Sequence, residues 1–170
     1  MGEKCFVNLI IMNFQLLYLS VILLFVVGCA KPEKRLTQHE QETIIAEVTS
    51  TLNEYHDNIR MNGLLGEFKY LDSSASFSWH PPGFSTPISY DSVASIIRAN
   101  ALLFSSIDNH WDSLTVRPLS EVEVEYDGII TSAVFDTSGK FSTFRLRESG
   151  LMVKSADGWK LRSGKTDLIH

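Results

Sequence analysis

The sequence predicts an α+β fold, in which helices and one short strand precede a four-stranded antiparallel meander. Three observations carry that expectation. Apolar residues recur at helical spacing from Ile44 to Ile59. From Ser113 onward the period drops to two, and Val122, Val124 and Tyr126 alternate with Glu121, Glu123 and Glu125. Turn signals then cut the second half into strand-length pieces: Asp127-Gly128, Asp136–Lys140 with Gly139, and Asp157-Gly158.

Each element has its own reason. Thr37 with Glu40 three residues later fits a capping box. Ile44, Ile45, Val48, Leu52, Tyr55 and Ile59 supply one buried stripe, and Gly63 suits the end of that long helix. Leu64–Leu71 reads as a second, short helix. Ala75–His80 alternates and is aromatic, so it reads as a strand, which His80-Pro81-Pro82-Gly83-Phe84 breaks. A third helix is expected from Ser89 or Asp91, burying Val93, Ile96, Ile97, Leu103 and Phe104 and ending before Asn109. The meander strands then close near Tyr126 and run over Ile129–Phe135, Phe141–Lys154 and Trp159–Ile169, with a bend near Ser149-Gly150.

The chain has 170 residues, 44% of them apolar and 21% charged, which suits one globular domain and excludes a wholly disordered chain or a polytopic membrane protein. Its net charge of −5 argues against nucleic acid as a partner. Phe6–Val27 is the most apolar stretch and ends in Val26-Val27-Gly28-Cys29, which resembles the bacterial lipobox. That resemblance implies cleavage before Cys29 and lipid on its thiol. An uncleaved membrane helix and an ordinary secretory signal are the alternatives. The expected division is 1–28 signal peptide, 29–37 lipidated Cys29 and tether, and 38–170 domain, with Met1 or Met12 as the start. The expected location is the bacterial cell envelope, membrane-anchored and facing the periplasm or the exterior. The only other cysteine is Cys5, so a domain trimmed at Cys29 has no internal disulfide, thiolate metal site or cysteine nucleophile.

The order of elements resembles the NTF2-like superfamily, and within it the SnoaL-like or DUF4440-type domains. The carrying residues are the long amphipathic first helix, Ser76-Phe77-Ser78-Trp79-His80 before a loop, the helix after Tyr90-Asp91-Ser92-Val93, and Asp157-Gly158-Trp159-Lys160-Leu161 at the last turn. The resemblance implies a curved sheet wrapped round the long helix as a cone, with a pocket at its open end. It also implies pairing of two copies through the outer sheet face, an expectation that the apolar residues on both faces of Ile129–Phe135 support.

By the same resemblance the pocket takes Tyr55, Phe77, Trp79, His80, Trp111, Phe135, Phe144 and Trp159. Tyr55 and His80 are the candidate acid or base groups, with His56, Asp91, His110 and Arg145 as further ionisable candidates. Arg145 with Arg147, and the Glu121, Glu123 and Glu125 row, read as outer-face charge. Many SnoaL-type sequences carry alternating histidines after the last turn, where this chain has Ser163 and Lys165. No zinc, Walker or nucleophile-elbow motif occurs, and neither a metal nor a cofactor is expected. The expected function is binding of a small, mostly apolar ligand or of a partner protein. The rival is an isomerase, dehydratase or lyase using a pocket histidine or tyrosine.

Overall fold

The computed structural model describes residues 35–169, so Phe6–Val27 and Cys29 lie outside the described residues. The elements are α1 (Gln38–Asn62), a 3-10 helix (Leu64–Lys69), β1 (Ser78–His80), α2 (Tyr90–Asn100), β2 (Phe104–Pro118), β3 (Glu123–Asp136), β4 (Phe141–Ser155) and β5 (Gly158–Ile169). The strands form one five-stranded sheet in the order β1-β5-β4-β3-β2. β1 runs parallel to β5, and the other neighbours pair antiparallel.

The start and stop signals of α1 act as the sequence predicts. The Thr37 amide donates to Glu40 Oε2 at 2.8 Å and the Glu40 amide to Thr37 Oγ1 at 3.3 Å, closing the capping box. Gly63 ends the helix at φ 66°, where a side chain would be strained. The buried stripe is Ile44, Val48, Leu52, Tyr55, His56 and Ile59. Ile45, expected on it, is exposed.

α2 is shorter than its apolar spacing predicts. Leu103 donates its amide to Asn100, and its carbonyl accepts from the Thr137 amide, which draws the chain into the sheet. Leu103 and Phe104 are therefore exposed, and His110 and Trp111 stand on β2 rather than after a helix.

Asp127-Gly128 is not a turn. β3 runs straight through it, with Gly128 paired to Leu114 on one side and Glu148 on the other. The actual turn lies just before Glu123, whose carbonyl accepts from the Leu119 and Ser120 amides. Gly128 is there because the Trp111 ring occupies the space of a side chain: a Cβ would stand 2.5 Å from Trp111 Cζ3. Gly164 on β5 repeats the device, seating Trp79 with a hypothetical Cβ 2.6 Å from Cζ3.

Three register shifts insert one extra residue each. They are Ser105 and Asp112 on β2 and Arg162 on β5. The bend expected near Ser149-Gly150 is thus carried by the partner strand, opposite Leu151 and Met152. Each extra side chain is tied down: Ser105 donates to the Phe135 and Asp136 carbonyls, Asp112 accepts from Thr131 and Arg145, and Arg162 donates to Asp72.

One end of the cone is packed shut by Val48, Leu52, Val124, Met152, Trp159 and Leu161. Trp159 and Leu161 point inward, as alternation along β5 requires. On the outer face Arg145 pairs with Asp112, Arg147 with Asp127 and Arg117 with Glu125.

Candidate functional site

Between α1, the 3-10 helix, α2 and the inner face of the sheet lies a cavity of about 310 Å³, within the range of small-molecule sites. Its walls are mostly apolar, with Ile59, Leu71, Phe77, Ile107, Ile130, Val134 and Leu146 among them. A small set of polar side chains enters it, and two of these are carboxyls.

Glu67 is delivered by the 3-10 helix. That helix lies tight against α1, since a Cβ on Gly66 would stand 2.6 Å from the Asn58 carbonyl oxygen, and Asn58 Nδ2 donates to the Gly66 carbonyl at 3.0 Å. The clamp sets Glu67 against the last buried turns of α1, where the Tyr55 hydroxyl donates to Glu67 Oε2 at 3.2 Å. Glu148 comes from β4. Arg145 and Arg147 point outward, so Leu146 and Glu148 point in. Only 7% of Glu148 is exposed. Tyr126 donates to its Oε1 at 2.8 Å and Thr166 to its Oε2 at 3.3 Å. Trp79 Nε1 donates in turn to Thr166 Oγ1 at 3.1 Å, so a chain of hydrogen bonds runs from β1 to the carboxylate.

Burial pushes both carboxyls up to about 7. At Glu67 the charge of Glu148 adds to burial, and the Tyr55 hydrogen bond opposes it. At Glu148 two hydrogen bonds, from Tyr126 and Thr166, oppose burial. Two donors favour the carboxylate form more than one does. Glu148 is therefore where negative charge settles first, and Glu67 keeps its proton longer. The Tyr55 and Tyr126 hydroxyls are held well above their ordinary range, chiefly by burial, and remain donors.

The other polar lining residues are His56, Asn109, Ser132 and Thr166. His56 is pulled down to about 4 by burial and is neutral near pH 7. Its ring stacks on Trp111 with centroids 4.8 Å apart.

Of the residues expected here, Tyr55, Phe77, Trp79 and Phe144 line the cavity, and His80, Trp111, Phe135 and Trp159 do not. His80 Nε2 lies 2.6 Å from the Phe84 carbonyl oxygen and pins the Pro81-Pro82 loop. Trp111 backs the His56 ring, Phe135 is 43% exposed and tilts against Phe141, and Trp159 belongs to the closed end. Ser163 and Lys165 are not the inward positions of β5. The extra residue Arg162 changes the phase, so that Gly164 and Thr166 face inward instead. Lys165 pairs with Asp167. Among the described residues no group of three or more His, Cys, Asp or Glu side chains is placed to hold a metal.

These features define an α+β cone with a polar-tipped cavity, and the fold is NTF2-like. A nuclear transport factor 2 (NTF2-like) superfamily protein from Salmonella enterica superposes with a TM-score of 0.65 over 76% of this chain and 93% of its own, at 15% identity. A candidate scytalone dehydratase from Novosphingobium aromaticivorans gives 0.70 over 79% and 89%, at 10% identity. A hexachlorocyclohexane dehydrochlorinase, LinA-type3, from Novosphingobium barchaimii gives 0.62 over 79% and 92%, at 6% identity. No protein-family model matches the chain, and no curated protein matches it in sequence. At these identities the likeness is one of fold.

Proposed function

We propose that the cone is an acid–base catalytic site for a small molecule, of the isomerase, dehydratase or lyase type, with Glu148 as base and the Tyr55–Glu67 pair as proton donor. The observation that carries this reading is the convergence of two carboxyls, both held near 7 and each bonded to a tyrosine, on one mostly apolar cavity. A carboxyl held near neutrality is poised both to take and to return a proton. Two carboxyls with unequal hydrogen bonding divide those roles. Glu148 takes a proton from carbon next to an electron-withdrawing group. Protonated Glu67 donates to the Tyr55 hydroxyl oxygen, which frees the Tyr55 proton for the oxygen or leaving group where negative charge gathers. The apolar walls keep water from competing. Two fold neighbours are named a dehydratase and a dehydrochlorinase, which agrees with this class of chemistry without assigning it.

The test is proton exchange. The full chain, purified in mild detergent, is incubated in deuterated buffer with a panel of small ketones, including a β,γ-unsaturated one. Exchange or isomerisation is followed by NMR. We expect protein-dependent turnover, governed by a group titrating near pH 7 and reduced about 10²–10⁴-fold in Glu148→Gln. Saturable binding of the same ketones with no exchange would defeat the catalytic reading in favour of a binding module.

The same proposal places the cone at a bacterial envelope membrane, on the strength of the Val26-Val27-Gly28-Cys29 run. Cys29→Ser is expected to leave a longer, unlipidated precursor. An intact Met1 or Met12 N-terminus on the wild-type protein, read by mass spectrometry, would rule out the lipid anchor.

A further inference from the structure

His56 and Asn109 on the cavity wall, with Trp111 behind the His56 ring, take no part in the acid–base pair and are unusual in themselves. Three buried polar atoms, His56 Nδ1, Asn109 Oδ1 and Trp111 Nε1, have no hydrogen-bond partner. Orphans of this kind are rare in native proteins, and each calls for a reason. These three are neighbours. Asn109 and Trp111 sit two residues apart on the inner face of β2, and the His56 ring stacks on Trp111. His56 is 5% exposed and, with Asn109, lines the cavity.

The sheet register locates the patch relative to the carboxylate. Asn109 pairs with Ser132, and Ser132 with Phe144. The next inward row is Trp111, Ile130 and Leu146, and the row beyond that holds Gly128, Glu148 and Thr166. Four residues along β4 separate Phe144 from Glu148, which is about 13 Å of strand. Polar rows thus lie on either side of an apolar row.

We propose that this patch is a recognition subsite for a neutral hydroxyl or amide of the ligand, with Asn109 and His56 as the specificity-determining residues. It occupies the cavity of the proposed acid–base site and rests on that cavity being the ligand site. The chemistry selects the group. Asn109 Oδ1 accepts, and neutral His56 Nδ1 accepts or donates according to its tautomer. A hydroxyl or an amide both donates and accepts, so it suits both. A carboxylate or ammonium would meet no opposite charge among them and would be desolvated uncompensated. The ligand class is therefore a neutral, mostly apolar molecule with a reactive centre at Glu148 and a separate hydroxyl or amide.

The probes are 2-naphthol and 2-methoxynaphthalene, a pair that differs in the hydroxyl donor. Their binding to the full chain is measured by fluorescence at equal detergent concentration. We expect 2-naphthol to bind about tenfold more tightly, the worth of one well-placed hydrogen bond. The ratio should fall to about one in Asn109→Leu, shrink in His56→Phe, which keeps the ring stack, and persist in Glu148→Gln. Asn109→Leu should melt no lower than wild type, because it removes an acceptor that has no partner. A wild-type ratio near one, a ratio that survives both Asn109→Leu and His56→Phe, or one that vanishes in Glu148→Gln overturns the subsite. So does a lower melting temperature for Asn109→Leu, which would mean that the amide is already satisfied. A protein inert in proton exchange but with the expected ratios would sink the catalytic reading alone.

Discussion

Folding stability is expected to fall by roughly 3 kcal/mol as the pH is raised from about 5 to about 8. Glu67 and Glu148 ionise near 4.5 in an unfolded chain and near 7 in the fold. Between those values the folded state holds more protons, so stability is full at low pH and is lost as the pH rises through 7. Each shift corresponds to at most about 3 kcal/mol. The two titrate as a coupled pair, so the shifts do not add in full. His56 acts in the opposite sense. It is held near 4 against an ordinary 6.5, so its contribution is full above 6.5 and lost toward 4. That offsets part of the carboxyl effect below pH 6.5. Glu47 and Asp72, held low by ion pairs with Lys154 and Arg162, matter only at more acidic pH. Urea denaturation across this range checks the expectation. Glu148→Gln should flatten the curve and be the more stable protein at pH 8. A wild-type curve that rises to pH 8 would mean that the carboxyls are not buried as described.

Trp159→Ala is expected to cost about 3–5 kcal/mol, the usual loss for a large buried aromatic. The ring is 4% exposed at the closed end of the cone, against Val48, Leu52 and Met152 in one cluster. Its Nε1 donates to Glu47 Oε2 at 3.0 Å, and Lys154 Nζ lies 5.4 Å from the ring centroid. That hydrogen bond ties the last hairpin to the N-terminal half of α1. Trp159→Phe, which keeps most of the apolar bulk and loses the bond, should cost about 1–2 kcal/mol. Equal losses for the two variants would place the whole effect in the hydrogen bond. A loss below about 1 kcal/mol for Trp159→Ala would show that the closed end tolerates a void that a close-packed interior does not.

The fold was largely legible because its signals are local. The capping box, the α1 stripe, Gly63, Gly139 and Asp157-Gly158 each act within a few residues and, Ile45 apart, stand where the sequence places them. The failures came where distant chain competes with local preference. Asp127-Gly128 favours a turn, but the Trp111 ring, brought over by β2, needs the glycine in mid-strand. The apolar run through Leu103 and Phe104 suits a helix, but pairing with β3 claims Phe104. The candidate site was half legible. Tyr55 was found because it lies on the α1 stripe. Glu148 was overlooked although Arg145 and Arg147, read as outward, already put the next residue inside. Glu67 gives no periodic signal, because its direction comes from the clamp of Gly66 against Asn58.

The extra residue Arg162 behaves as a frame-shift within the sheet. Before it, odd-numbered residues of β5 face the interior; after it, even-numbered ones do. Were Arg162 taken into the ladder as an ordinary strand residue, Lys165 and Asp167 would replace Thr166 at the cavity wall with no side chain changed. The hydroxyl that steadies Glu148 would be gone, and a cation and an anion would take its place. Gain or loss of such a bulge is thus a route by which this cone can acquire new interior chemistry. Column-by-column comparison of such strands across relatives sets inward residues against outward ones wherever the bulge is not shared.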